Sequence, residues 1–354
     1  MDKEFHYDIN YLIALYAGFD QEAATKIAYS AQFVDDNNDI CIVLNELTQE
    51  HYVNAITQTY DITKVRPWLV SMYAAFHFLP GEQAAASRRK DRLWHPLCTT
   101  PDAPLAKNLL TRALESGNLH WIGIASHAYC DTWAHQNFIG DFHTFNNLPG
   151  VKSIFGAAVG HASALAMPDE VSKIWQDKRL ANPRANNKKR FIQAAKNLYL
   201  LYTQYTPKKV LSASSLLLDL DYIFGEAAEY HADYFGNRRR GREARFVKVL
   251  EKRRLPPLPS YNKEQWRTES LIPAAEIDAS ALIVEVKEKF KLAQFSGICL
   301  RKSILALQPI ELGIGAIDLY RWRTQGDWYH FQEAAKIHYE EAYETIGPLI
   351  AEEK

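Results

Sequence analysis

The chain has 354 residues, 47% hydrophobic and 23% charged, a globular balance that can bury one large domain or about two. Its net charge of -1 gives no overall field to recruit nucleic acid or an anionic membrane, and no uninterrupted apolar run reaches the ~20 residues of a membrane span. The opening MDKEFHYDIN lacks the basic flank and apolar core of a secretory signal, so the chain is expected to be cytoplasmic, or exported without a cleaved signal peptide.

Helical periodicity runs through most of the chain. YDINYLIALYAGF carries Ile9, Leu12, Ile13, Tyr16 and Ala17 on one stripe closed by Gly18, and DQEAATKIAYSAQFVDD restarts it with Asp20 as N-cap. TKVRPWLVSMYAAFHF is stopped by Pro80-Gly81. Residues 104–138 hold two helices joined near Gly117-Asn118, and 190–208, 213–235, 276–292, 296–308 and 331–350 read the same way. No convincing strand alternation occurs, so the predicted fold class is all-α. Cys41, Cys98, Cys130 and Cys299 form no C-x-x-C pair and read as reduced, mostly buried thiols.

Two stretches read as connectors, the polar and basic 177–190 and the proline-rich RRLPPLPSYNKEQW at 253–266. The second divides a histidine-rich helical metal-binding core, 1–252, from a C-terminal helical extension, 253–354, that carries only His330 and His338 and is expected to pack on the core. The basic run 237–245 reads as a solvated helix end.

HAYCDTWAHQNF places His127, Asp131 and His135 four residues apart. A helix turns ~100° per residue, so steps of four leave these side chains on a narrow stripe, with His120 near the same line. The neighbours Ala125, Ala128, Ala134, Trp121, Ile124 and Trp133 are small or apolar, and an ionised carboxylate buried there without a partner costs several kcal/mol. A divalent metal removes that cost, because imidazole nitrogen and carboxylate oxygen are ligands that zinc takes. Further candidates are His6 and Asp8 at the first helix, Asp35 and Asp36 at the end of the second, His77 after the third, His161 after a glycine, and Asp169. Seven of the twelve histidines lie between 77 and 161, which favours a metal site over a hydrogen-bonded core network.

With FHYDINYLIALYAGF, AYSAQFVDDN, FHFLPG, HAYCDTWAHQNFIG and GHASALAMPDEV, the first half of the chain resembles the zinc-dependent phospholipase C fold. Within it, the likeness is to the branch of the heterokaryon-incompatibility C (Het-C)-like proteins and their uncharacterised bacterial relatives. The resemblance implies a multi-helix bundle of the phospholipase C/nuclease type with two or three zinc ions. Asp36 (or Asp35), His77, His127 and Asp131 would surround one ion, and His135, His161 and Asp169 a second. Asp131 would bridge to a third, held by N-terminal groups such as His6. The chain departs from the secreted enzymes in three ways: His135 follows Asp131 by four residues rather than six, His6 and Asp8 stand where those enzymes use a processed N-terminus, and the secretion signal is missing.

Clustered zinc ions suit a zinc-dependent phosphodiester hydrolase acting on a phosphodiester or phospholipid. Asp131 would bridge metals, and Asp35 or Asp36, whichever does not bind metal tightly, would orient the water. Trp94, Trp121 and Trp133 are candidates for contact with the substrate's organic part, against a reading of each as core. A nuclease of the same fold would need a basic, aromatic channel, and no stable nucleic-acid complex is expected. A metal-stabilised, non-enzymatic toxin or interaction module is the alternative outside catalysis. The HD-type helical phosphohydrolases need an adjacent His-Asp dipeptide, which this chain lacks.

Overall fold

In the computed structural model, which describes residues 1–45, 50–59, 67–150, 158–206, 211–229, 237–274, 284 and 317–352, the helices begin and end at chemical signals in the sequence. A π-helical stretch, Glu4–Ile9, runs into α1 (Asn10–Ala17) and stops at Gly18, where φ is 113°. Asp20 caps α2 (Gln21–Asp36), its carboxylate accepting the Ala23 N–H at 2.8 Å. Two strands follow, β1 (Ile40–Leu44) and β2 (His51–Val53), then α3 (Pro67–Phe76). Helix α4 (Pro104–Ser116) ends at Gly117, where φ is 67°, and the Asn118 side chain caps α5 (Leu119–Ala134) by accepting from the His120 and Trp121 N–H groups. Short strands β3 (Phe142–His143), β4 (Ala158–Val159), β5 (Ile174–Gln176) and β6 (Arg184–Asn186) come next. The chain continues through α6 (Asn187–Tyr205), α7 (Ala213–Phe224), α8 (Asn237–Arg253) and α9 (Gln265–Ser270). It closes with β7 (Leu271–Pro273), β8 (Ile317–Trp322) and α10 (Asp327–Glu352).

The all-α expectation is corrected by these strands: the protein is mixed α/β, about 56% helix and 12% strand among the described residues, with a four-stranded mixed sheet. The sheet order is β2-β1-β8-β7, with β1 and β8 parallel and the outer pairs antiparallel. The reason is physical. In β1, ICIVL, four of five residues are buried, so both faces are covered and the run is continuously apolar instead of alternating. Periodicity cannot tell such a run from a piece of buried helix.

The chain divides into two compact units, Met1–Gln32 with His77–Tyr261, and Phe33–Phe76 with Asn262–Lys354. The division expected at 252/253 falls within the first unit, and the second takes in Phe33–Phe76 as well as the chain from Asn262. The helices expected at 276–292 and 296–308 lie outside the described residues, apart from residue 284, as does Cys299. Cys41, Cys98 and Cys130 are free and buried. Among the described residues, no helix is long and apolar enough to cross a membrane.

In the first unit α6 packs on α1, α4 and α5. A buried polar chain ties three of these helices: Tyr202 donates to Asn10 Oδ1 at 3.0 Å, and Asn10 Nδ2 donates to Ser126 Oγ at 3.2 Å. The proline-rich stretch is strapped down by tyrosines of the first helical segment, Tyr7 donating to the Pro259 carbonyl and Tyr11 to that of Pro256, both at 3.0 Å. The polar stretch 177–190 is not a bare connector, because it supplies β6 to a hairpin with β5 and then the start of α6. Its Asp177 and Arg179 form a buried two-pronged pair at 2.9 and 2.7 Å. The basic run at the head of α8 is also only partly solvated, since Arg242 grips the buried Glu4 carboxylate at 2.6 and 2.9 Å.

In the second unit α10 packs along α3 and α9, and Phe33 meets the rings of Trp266 and Phe331 at 5.8 and 4.8 Å. Polar pairs fix the register of these elements. Gln332 donates to Asn37 at 2.9 Å, and Ser71 shares a 2.7 Å hydrogen bond with Tyr339.

Candidate metal centre

Helix α5, with His135 at its C-cap, carries the stripe and is buried from His120 to Ala134. Its close neighbour is α2, admitted by Gly123: a methyl group there would come within 2.4 Å of the Ile27 carbonyl oxygen and of Ser30 Cβ. One turn further on, that approach brings the Ala31 carbonyl to 2.7 Å from His127 Nδ1. A carbonyl only accepts, so Nδ1 carries the proton and the Nε2 lone pair points into the unit.

Around Asp131 the structure gathers His6, His77 and His127. His6 Nε2 is 3.1 Å from Asp131 Oδ1, His127 Nε2 is 3.2 Å and His77 Nδ1 3.5 Å from Oδ2, and the His77 and His127 nitrogens are 3.1 Å apart. The His6 ring stacks on His127 with centroids 3.8 Å apart. The Met1 nitrogen also lies against Asp131, and 3.4 Å from Asp169 Oδ1. Four residues along, His135 Nδ1 donates to the His77 carbonyl at 2.7 Å and turns its Nε2 to Asp169 Oδ1 at 2.9 Å. His161 repeats the arrangement, with Nδ1 donating to the Leu165 carbonyl at 2.8 Å and Nε2 3.1 Å from Asp169 Oδ2. Phe78 stacks on His135 at 4.6 Å, and the His135 and His161 rings are 4.7 Å apart.

Within the first unit, two groups thus offer their ligand atoms within 4.8 Å of one another, His6–His127–Asp131 and His135–His161–Asp169, and each could hold a metal ion. The first is wholly buried, while the side chains of His161 and Asp169 keep 21% of their surface exposed, so the second opens to solvent. Burial would raise the Asp131 carboxyl, but the surrounding histidines, His135 foremost, hold it well below the usual range; Asp169 is likewise held low, against burial, by His161. Burial pushes His6 and His135 below the ordinary imidazole value, whereas for His161 the Asp169 carboxylate outweighs burial and raises it.

These assignments leave lone pairs facing lone pairs. In the neutral form His127 and His135 carry their one proton on Nδ1, held by a backbone carbonyl, and their Nε2 lone pairs then confront the carboxylates at 3.2 and 2.9 Å. Asp131 Oδ2, buried and ionised, makes no hydrogen bond among the described residues. Leaving such an oxygen unsatisfied costs on the order of 1–3 kcal/mol or more. A cation between the nitrogens and the oxygens resolves the conflict. Carbonyl-anchored Nδ1 protons with Nε2 turned inward are the second layer that metal-binding histidines use. The donor set therefore fits a divalent transition metal.

The sequence candidates divide accordingly. His6, His77, His127, Asp131, His135, His161 and Asp169 come together, all from the first unit. Asp35 and Asp36 belong to the second unit, half-buried in the last turn of α2. Neither ligand group includes His120, which is buried in the first turn of α5. Trp121 and Trp133 are buried in the core. The anchoring carbonyls of Ala31, His77 and Leu165 carry no side-chain signal and were not foreseen. Phe78 was visible only as part of FHF.

Asp8 turns away from the site to Lys3, 3.2 Å distant. Burial pushes its carboxyl up from 3.8 to about 6, more than Lys3 pulls it down. With the folded value raised, the folded chain holds the proton more tightly. The stabilisation is full below the unfolded pKa of 3.8 and is lost as pH rises through about 6, a span of about 3 kcal/mol. Asp8→Asn cannot ionise, so it is expected to exceed the parent in stability by up to about that amount near neutral pH and to match it below about pH 4. Urea unfolding at the two pH values measures this, and an equal difference at both would refute it.

The chain belongs to a family of unknown function, DUF6765, whose model matches residues 1–346. Searches of the curated proteins and of the solved structures find no match.

Proposed function

We propose that the protein is a zinc-dependent phosphodiester hydrolase of the phospholipase C-like kind, with two ions in the first unit. The carrying observation is the orientation of the histidines: His127, His135 and His161 are each locked by a backbone carbonyl so that Nε2 faces a carboxylate. His6, His77, His127 and Asp131 would hold one ion, and His135, His161 and Asp169 the other. Zinc is favoured over harder cations by the excess of imidazole over carboxylate.

Bound zinc supplies positive charge that makes a water acidic near neutral pH and that neutralises phosphoryl oxygens. The chain's own groups do the rest. The buried Asp131 ties the two ligand sets together, and its α5 backbone fixes their spacing. His161 and Asp169 form the solvent-facing edge, where a phosphoryl group can approach. That open edge favours an enzyme over a closed structural site, which would have no accessible position.

Protein purified without chelator is expected to carry about two equivalents of zinc by mass spectrometry. A saturating excess of about 100 times Kd should add about 2.7 kcal/mol of stability for each ion, a rise in melting temperature of about 5 °C per ion, which chelation reverses. Zinc-loaded protein should hydrolyse bis(4-nitrophenyl) phosphate. Failure to take up zinc would remove the metal reading. Full zinc loading with no hydrolysis of this ester or of phospholipid would leave a metal-stabilised module as the better account.

A further inference from the structure

The first unit holds a cavity of about 400 Å³ that shares no lining residue with the metal centre. Leu148, Met167, Ile174 and Trp175 give it an apolar wall, and Gln176 and Lys178, which also line it, are exposed, so it meets solvent beside them. The charges around it do not balance. The Glu229 carboxylate lies 3.3 Å from Arg184, and the buried Lys173 lies 3.5 Å from Glu170, so each carboxylate has its cation. Lys178 has no such partner. Its carbonyl accepts from Lys90 at 2.9 Å, but its ammonium makes no hydrogen bond or ion pair among the described residues. Arg190 adds a second positive charge without an ion pair among the described residues. Its guanidinium lies 5.9 Å from the Trp175 ring centroid, and its Nη1 is buried with no hydrogen-bond partner there. An apolar wall with unpaired positive charge beside it complements an apolar body that bears a negative charge.

We propose that this cavity is a binding site, separate from the metal centre, for a small aromatic carboxylate: one or two fused rings carrying a single negative charge. The rings bury against Trp175 and Met167, and the carboxylate stays at the open side with the Lys178 ammonium and the Gln176 amide. Size limits the body. A cavity of ~150 Å³ holds benzene, so about 400 Å³ admits a two-ring system. Exposure limits what the charge adds. Lys178 stands in water, so its ion pair contributes only about fivefold at low salt, and ring burial supplies most of the affinity. None of the lining residues is a metal-ligand candidate, so the site stands or falls independently of the hydrolase reading.

Calorimetric titration of the full chain with 2-naphthoate at low ionic strength tests this. A Kd below about 1 mM is expected, with 2-naphthamide, of the same shape but uncharged, binding about fivefold more weakly. Lys178→Met keeps the length of the side chain and removes its charge. It should weaken 2-naphthoate about fivefold and leave 2-naphthamide unchanged. Met167→Trp fills the cavity and should weaken both at least about tenfold. Lys178 is exposed, so its variant folds and decides the matter even if Met167→Trp does not. Stripping metal with a chelator should leave the affinity for 2-naphthoate within about twofold. Three results would overturn the assignment: no binding in the millimolar range, 2-naphthoate affinity that Lys178→Met does not change, or affinity lost on chelation, which would put the carboxylate on the metal instead.

Discussion

Asp131→Asn is expected to empty the metal centre while leaving the fold in place. Zinc content should fall from about two equivalents to less than one, and phosphodiester hydrolysis by at least about 10³-fold, about 4 kcal/mol of barrier. The carboxylate is the shared member of the arrangement, with His6 at one oxygen and His77 and His127 at the other. Asn keeps its shape but loses the charge that balances two cations. It also replaces Oδ2, which has no hydrogen bond among the described residues, with an N–H donor facing the His127 lone pair. The metal-free variant also loses the carboxylate beside the buried Met1 nitrogen, so it should melt lower than the metal-free parent. Zinc content and rate, read on the folded variant, are therefore what separate a metal site from a structural network. His120→Asn, outside both ligand groups, should retain most of the zinc and the rate. Asp131→Asn with parental zinc and parental rate would sink the assignment.

What could be read from the sequence was what repeats or caps. The α5 stripe was legible because a four-residue step on a helix leaves chemical types in line, and the helix ends at Gly18, Asp20, Gly117 and Asn118 were legible because few residues suit those positions. The sheet was not. Strand β1 pairs in parallel with β8, Ile42 opposite Leu319, across most of the chain, and neither strand alternates cleanly enough to announce itself. For the same reason the two-segment make-up of each unit had no local signature: Phe33–Phe76 joins the C-terminal segment through pairing and packing, not through a linker.

The site shows the same limit at finer scale. Residue types identified the ligand-like side chains, but not which of two neighbours turns inward. His6 faces Asp131 and Asp8 faces Lys3, a choice made by the π-helical register of Glu4–Ile9. Nor could the sequence show that three backbone carbonyls would fix three imidazole tautomers. Every residue has a carbonyl, and only tertiary approach, such as that of α2 to α5 over Gly123, selects the ones that matter.

Gly160→Ala should strip the second ligand group alone. Gly160 sits at φ 50°, and a methyl group there would meet the Phe78 ring at 2.4 Å. That ring stacks on His135 and lies 6.1 Å from His161, so relief of the clash must shift the ring packed beside these two ligands or swing His161 away. The left-handed backbone costs an L-residue about 1–2 kcal/mol, and overpacking adds about 1–3 kcal/mol. Zinc should fall from about two equivalents to about one, the remaining ion held by the buried group around Asp131, and hydrolysis should drop with the solvent-facing group. Gly117→Ala is the matched comparison. Its φ of 67° imposes a similar backbone cost, but nothing lies within 4 Å of the added methyl. It should lose about 1–2 kcal/mol of stability and keep all its zinc. Equal zinc loss in the two variants would mean that general destabilisation, and not the Phe78 contact, empties the site. Full zinc retention in Gly160→Ala would mean that His161 is not a ligand.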